Sequence, residues 1–96
     1  MANMSLTQTA VTLSAGVVTA ILPRNDQRNY LCLQNVGSND LQFGFMSTLT
    51  AGNGTTLSPG GLGKQGGFFL WDGNWIPANS VYAVSASGTT IIAIEG

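Results

Sequence analysis

Histidine is absent from this 96-residue chain, cysteine occurs once, and there are only three Lys or Arg and four Asp or Glu residues. Without histidine the usual general base and the commonest metal ligand are missing, which excludes Ser-His and Cys-His nucleophile pairs and His-bearing zinc sites. The four carboxylates, Asp26, Asp40, Asp72 and Glu95, each fall in or beside an apparent turn or chain end, so no facing pair is offered for glycoside hydrolysis. No catalytic, metal or cofactor residue is therefore expected. The lone Cys32, set between Leu31 and Leu33, cannot form an internal disulfide and reads as a small apolar filler. Arg24, Arg28 and Lys64 are too few to neutralise a phosphate backbone, so no nucleic-acid partner is expected. The N-terminus lacks the charged start and continuous apolar run of a secretory signal, and no stretch has the length and hydropathy of a membrane span; a chain made and kept in a cytosol is the expectation.

Charged residues make up 7% of the chain, against roughly 25% in ordinary soluble domains. Ser, Thr, Asn and Gln take their place, and such a surface dehydrates at little cost. A net charge of -1 supplies almost no mutual repulsion, so association is favoured over life as a dilute monomer. The chain reads as an assembled subunit. Its length suits one domain with a single core.

The pattern that is present has a period of two. Leu31 and Leu33 alternate with Tyr30, Cys32 and Gln34, while Leu41, Phe43 and Phe45 alternate with Gln42 and Gly44, so Arg28 to Phe45 is expected to be a hairpin turning at Val36–Asp40. Residues 1–9 are small and polar, anchored only by Leu6, and are expected to form an extended arm; 10–96 form the domain. Val11 and Leu13 begin a strand that Gly16 breaks. Val17 to Leu22 is an uncharged β-branched run lacking the Lys, Pro or bulge that guards an edge, so it is expected to be central or covered by a neighbouring subunit. Pro23 ends it, in a polar loop where Asn25 and Asp26 can bond their own backbone. A polar loop with an Asn53-Gly54 turn leads to a short strand at Thr55–Ser58, and Pro59–Gly67 is irregular. Phe68–Trp71 is a strand, Asp72-Gly73 a turn returning through Asn74, Trp75 and Ile76, and Ser80–Ser85 with Thr89–Glu95 a closing hairpin in which Ile91–Ile94, apolar on both faces, is buried. With seven or eight short strands and no helical period, the fold expected is an all-β antiparallel sandwich or jelly roll, with an open barrel second.

Two motifs fail on context. Gly61-x-Gly63-x-x-Gly66 imitates a dinucleotide loop, but Phe68-Phe69-Leu70 follows it as a strand where a helix N-terminus is required; the phosphate-loop pattern fails at Ser58 and Gln65. Trp71-Asp72-Gly73-Asn74-Trp75 offers two indoles around a polar turn. A protein contact is the first reading, and a glycan site, with Trp71 and Trp75 stacking on a sugar and Asp72 and Asn74 bonding its hydroxyls, is the alternative.

Leu22-Pro23, Asn25, Arg28, Leu31–Asn35, Gly44, Leu57, Pro59-Gly60, Pro77, Val81–Ser85, Ser87-Gly88-Thr89 and Glu95-Gly96, in this order across residues 20–96, resemble a family of small bacteriophage virion proteins. The long polar loop at Ser47–Gly54 and the Trp-rich segment depart from that pattern. The resemblance implies a non-enzymatic part of the particle: a capsid decoration or cement protein on the major capsid protein, a head fibre, or a tail-associated subunit. It also fits a homo-oligomer, a trimer about a threefold axis, in which many weak contacts add by avidity. Leu6, Val17, Ile21, Arg28, Trp71 and Trp75 are the candidate contact residues.

Overall fold

The computed structural model describes residues 5–60, 66–72 and 76–96, with Asp72 by its backbone alone. Eight strands run β1 (Thr7–Leu13), β2 (Thr19–Leu22), β3 (Tyr30–Asn35), β4 (Leu41–Gly44), β5 (Thr55–Leu57), β6 (Phe68–Asp72), β7 (Val81–Val84) and β8 (Thr89–Glu95). They form two four-stranded antiparallel sheets, ordered β1-β8-β3-β6 and β2-β7-β4-β5. First pairs with last inward along the chain, β1 with β8, β2 with β7, β3 with β6 and β4 with β5. Folding that long ribbon over adds the β3·β8 and β4·β7 pairings. The expected sandwich is present, in the strand order of a jelly roll.

The two expected hairpins are absent. β3 and β4 lie in different sheets, as do β7 and β8, and β4–β5 is the only consecutive pair of these strands to share one. A period of two reports which face of a strand is buried; it does not report whether the partner lies beside the strand or across the core. Here Leu31 and Leu33 face Leu41 and Phe43 across the interior, joined by Leu13, Leu57, Val81 and Ile91 in one buried cluster. The Val36–Asp40 link climbs from one sheet to the other.

That climb is held by Asn35, which is fully buried. Its Nδ2 donates to the carbonyls of Asn39 (2.8 Å) and Leu57 (3.0 Å), and its Oδ1 accepts from the Gly37 amide (3.1 Å) and the Thr89 hydroxyl (3.0 Å). The β7–β8 link beside it is stitched on: Asn39 Nδ2 donates to the Gly88 carbonyl at 2.7 Å, and Ser85 Oγ donates to the Asp40 carbonyl at 2.6 Å. Gly88 sits at φ 86°, where a Cβ would also press on the Leu13 carbonyl, so this corner needs glycine.

Two further expectations change. Thr7–Thr9 pair with Ala93–Glu95, so the arm expected through residue 9 is already sheet from Thr7. Val17 to Leu22 is not a central strand: only Thr19–Leu22 is strand, at the edge of its sheet, where a register shift between Ala20 and Leu22 and the following Pro23 interrupt pairing. The return through Asn74 and Trp75 lies outside the described residues.

Replacing Asn35 by Ala strands the Leu57 carbonyl and the Thr89 hydroxyl in the interior, at a cost of about 1–3 kcal/mol for each group left unpaired. Asn35→Ala is expected to lower unfolding free energy by about 3 kcal/mol in urea titration. An unchanged midpoint would show that the crossing does not rest on this side chain.

Candidate functional site

Alternation along the strands of β1-β8-β3-β6 commits Leu13, Leu31, Leu33, Ile91 and Ala93 to the core. The intervening residues form the sheet's outer face. The register lines them up in rows, Gln8–Ile94–Cys32–Leu70 and Ala10–Ile92–Gln34–Phe68, with Thr12–Thr90 and Tyr30–Asp72 at the two ends. Ile94, Cys32, Leu70, Ile92 and Phe68 thus make a continuous apolar surface. Phe68 and Leu70 are 54% and 44% exposed, and the isoleucines are half-buried by their neighbours in the sheet. Among the described side chains this face bears no Lys, Arg, Asp or Glu. The outer rows of the opposite sheet are Ala20–Tyr82–Gly44 and Val84–Gln42–Thr56, in which Val84 is buried and Gln42 donates to Thr56 Oγ1 at 3.4 Å.

The residues singled out in the sequence do not converge on one surface. Leu6 and Val17 are exposed, the first just before β1 and the second in the β1–β2 link. Ile21 is core, packed with Leu22 under the β2 edge, and is not a contact residue of the free chain. Arg28 is also buried. Its Nε donates to Glu95 Oε2 at 2.8 Å, NH1 to the carbonyls of Pro77 (2.6 Å) and Asn79 (3.0 Å), and NH2 to that of Pro23 (3.1 Å). The guanidinium therefore ties the β2–β3 loop, the approach to β7 and the end of β8 into one corner. It serves the fold and is closed to a partner. Trp71 lies on the inward side of β6, edge-on to Phe43 (5.7 Å between centroids) and Phe45 (5.9 Å) and tilted against Phe69 (4.4 Å). Trp75, Asn74 and the Asp72 side chain lie outside the described residues, so the two-indole platform has one described member, and that one is engaged by three rings.

What the sequence reading missed is the outer row itself. Its signal is Ile91–Ile94, apolar on both faces and expected to be buried; Ile91 and Ala93 are buried, whereas Ile92 and Ile94 look outward with nothing described above them.

Hollows occur elsewhere among the described residues. One of about 120 Å³ lies beside Phe45, Met46 and Leu49, and one of about 320 Å³ is lined by Asn39, Asp40, Gln42, Ala51, Ala86 and Ser87. The second holds a single carboxylate with no base beside it, so neither assembles an acid–base pair. No group of three or more His, Cys, Asp or Glu residues that would suit a metal occurs among the described residues. No family model, curated protein or solved structure matches the chain.

Removing one partner from a buried ion pair leaves the other charge uncompensated, at a cost of about 3–5 kcal/mol. Arg28→Ala, which also abandons three carbonyls, is expected to lose about 3 kcal/mol or more in chemical denaturation, and Glu95→Gln, which keeps a hydrogen-bond acceptor, less. Equal and negligible losses would refute the corner's role. Burial pushes the Cys32 thiol above its ordinary value, so less of it is thiolate at any given alkaline pH. At pH 8 the folded chain is expected to react with a chromogenic disulfide several-fold more slowly than the urea-unfolded chain; equal rates would show an open thiol.

Proposed function

We propose that the chain is a non-enzymatic structural subunit of a bacteriophage virion, a capsid decoration or cement protein that docks on the major capsid protein through the outer face of β1-β8-β3-β6. The observation that carries this reading is that face: Cys32, Phe68, Leu70, Ile92 and Ile94 grouped at its centre by the strand register, with no described charge among them. A contiguous apolar surface of this kind marks an interaction site more often than a chance exposure. The jelly roll is compatible with shell proteins but hosts many functions, so the fold adds little by itself. The choice of a virion rests on the residue pattern from Leu22 to Gly96 that resembles phage particle proteins.

Physically the fit is plain. Covering the outer face desolvates side chains that lose almost nothing on leaving water, and the neutral Gln, Thr and Tyr rim hydrogen-bonds to a partner without the penalty of burying ions. A single small sheet face binds weakly, and a lattice of identical sites makes weak binding sufficient when subunits are joined. A head-fibre or tail-associated subunit would use the same face at lower copy number.

In particles purified from a lysate in which the chain is made, it is expected at a copy number commensurate with the capsid lattice. Leu70→Lys with Ile94→Lys, both on the outer face, is expected to leave the circular dichroism spectrum unchanged and to weaken attachment about 1,000-fold or more, since each of the two buried unpaired charges costs about 2–5 kcal/mol. Particles that lack the wild-type chain, or retain the double variant at full copy number, refute the proposal.

A further inference from the structure

The two sheets have four edges, β1, β6, β2 and β5, and they are not equally protected. β5 has three residues, and β2 has four with a register shift and a proline at its end. β6 adjoins segments outside the described residues. β1 differs: its seven residues, Thr-Gln-Thr-Ala-Val-Thr-Leu, pair with β8 one to one from Thr7–Glu95 to Leu13–Thr89 without a bulge. It has no proline, and the chain has no charged residue before Arg24. No described residue pairs with its other side.

In an antiparallel ladder every second residue directs its N–H and C=O away from the neighbouring strand, so β1 offers a row of unpaired backbone groups about 24 Å long. Natural edges are usually blunted by Lys, Pro, bulges or brevity, and β1 has none of these devices. Long, flat and uncharged, it is suited to being paired.

We infer that β1 pairs antiparallel with β1 of a second copy about a twofold axis at Ala10, joining two four-stranded sheets into one of eight strands. The strand is self-complementary under that operation. Thr7 meets Leu13, Gln8 meets Thr12, Thr9 meets Val11 and Ala10 meets itself, so no like charges oppose one another and the smallest side chain lies on the axis. Opposed residues share a face of the sheet, and the exposed Gln8, Ala10 and Thr12 of both copies fall on the outer one. The rows Ile94–Cys32–Leu70 and Ile92–Gln34–Phe68 of the two copies, apolar but for Gln34, then belong to one continuous surface. The threefold arrangement expected from the sequence has no such residue-level complement, because pairing a strand with its own copy in the antiparallel sense is a twofold operation. The inference does not depend on what the outer face docks on, and it can fail while that reading stands.

An edge contact of this length falls below the roughly 1,200 Å² of a standard stable interface, so a weak dimer with a dissociation constant on the order of 10 μM is expected. Light scattering of the full chain at several hundred micromolar should give twice the 9.9 kDa chain mass. Gln8→Lys with Thr12→Lys sets two pairs of like charges directly across the axis at exposed positions and should return a folded monomer; Gln8→Glu with Thr12→Glu should do the same, and mixing the two variants should restore the dimer. Ala10→Cys in a Cys32→Ser background should cross-link to dimer on mild oxidation, since opposed Cα atoms lie about 4.5–5.5 Å apart, within disulfide reach. A wild-type monomer, an oligomer of any size that survives the Lys substitutions, or Lys and Glu variants that do not recombine would each overturn the inference.

Discussion

A buried asparagine decides the shape of this molecule. Asn35 satisfies four polar groups from three stretches of chain, Gly37 and Asn39 in the link that follows it, Leu57 and Thr89, where the chain leaves one sheet for the other. A chain that crosses between two sheets carries backbone polar groups through a region that water does not reach, and each must find a partner. At the opposite end of β3 and β8, Arg28 does the same for Pro23, Pro77, Asn79 and Glu95. No buried side-chain nitrogen or oxygen is left without a partner among the described residues. The apolar cluster supplies the driving force, which has no direction; these two corners supply the direction.

The corners also account for how little charge the chain needs. Of its seven charged residues, Arg28 and Glu95 are spent on one of them, and Arg24 and Asp26 pair with each other at 3.0 Å in the loop beside it. That exposed pair adds little stability. With four of the seven charged residues gathered at one end of the sandwich, the described outer side of β1-β8-β3-β6 carries Ile, Leu, Phe and Cys at its centre. Its opposite number carries Tyr82 and a buried Val84 among Gln, Thr, Ala and Gly, with no large aliphatic side chain exposed in those rows. The molecule is therefore two-sided, and the two-sidedness, more than the jelly roll, is what bears on its role.

Strand content was legible from the residues because burial of one face imposes a period of two on every strand that lines a core. Leu31, Leu33, Leu41 and Phe43 were correctly read as inward, and β5, β6 and β8 began and ended close to where turn residues placed them. Partnership was not legible. Whether Val36–Asp40 makes a hairpin or a climb depends on Asn35 finding Leu57 and Thr89, residues 22 and 54 positions away, and nothing in a five-residue polar link encodes that. The same reasoning covers Arg28: an arginine at the end of a polar loop looks alike whether it reaches water, a partner or the end of its own last strand.

By itself, the amino-acid sequence determined that this is a sparsely charged, all-β domain without histidine chemistry, since composition and alternation are properties of the chain before it folds. Only the tertiary structure decided which strands are neighbours, which arginine is closed to solvent, and that Ile92, Ile94, Cys32, Leu70 and Phe68 share one face. Those facts depend on contacts between residues far apart in the chain, and such contacts exist only once the two sheets have closed over a common core.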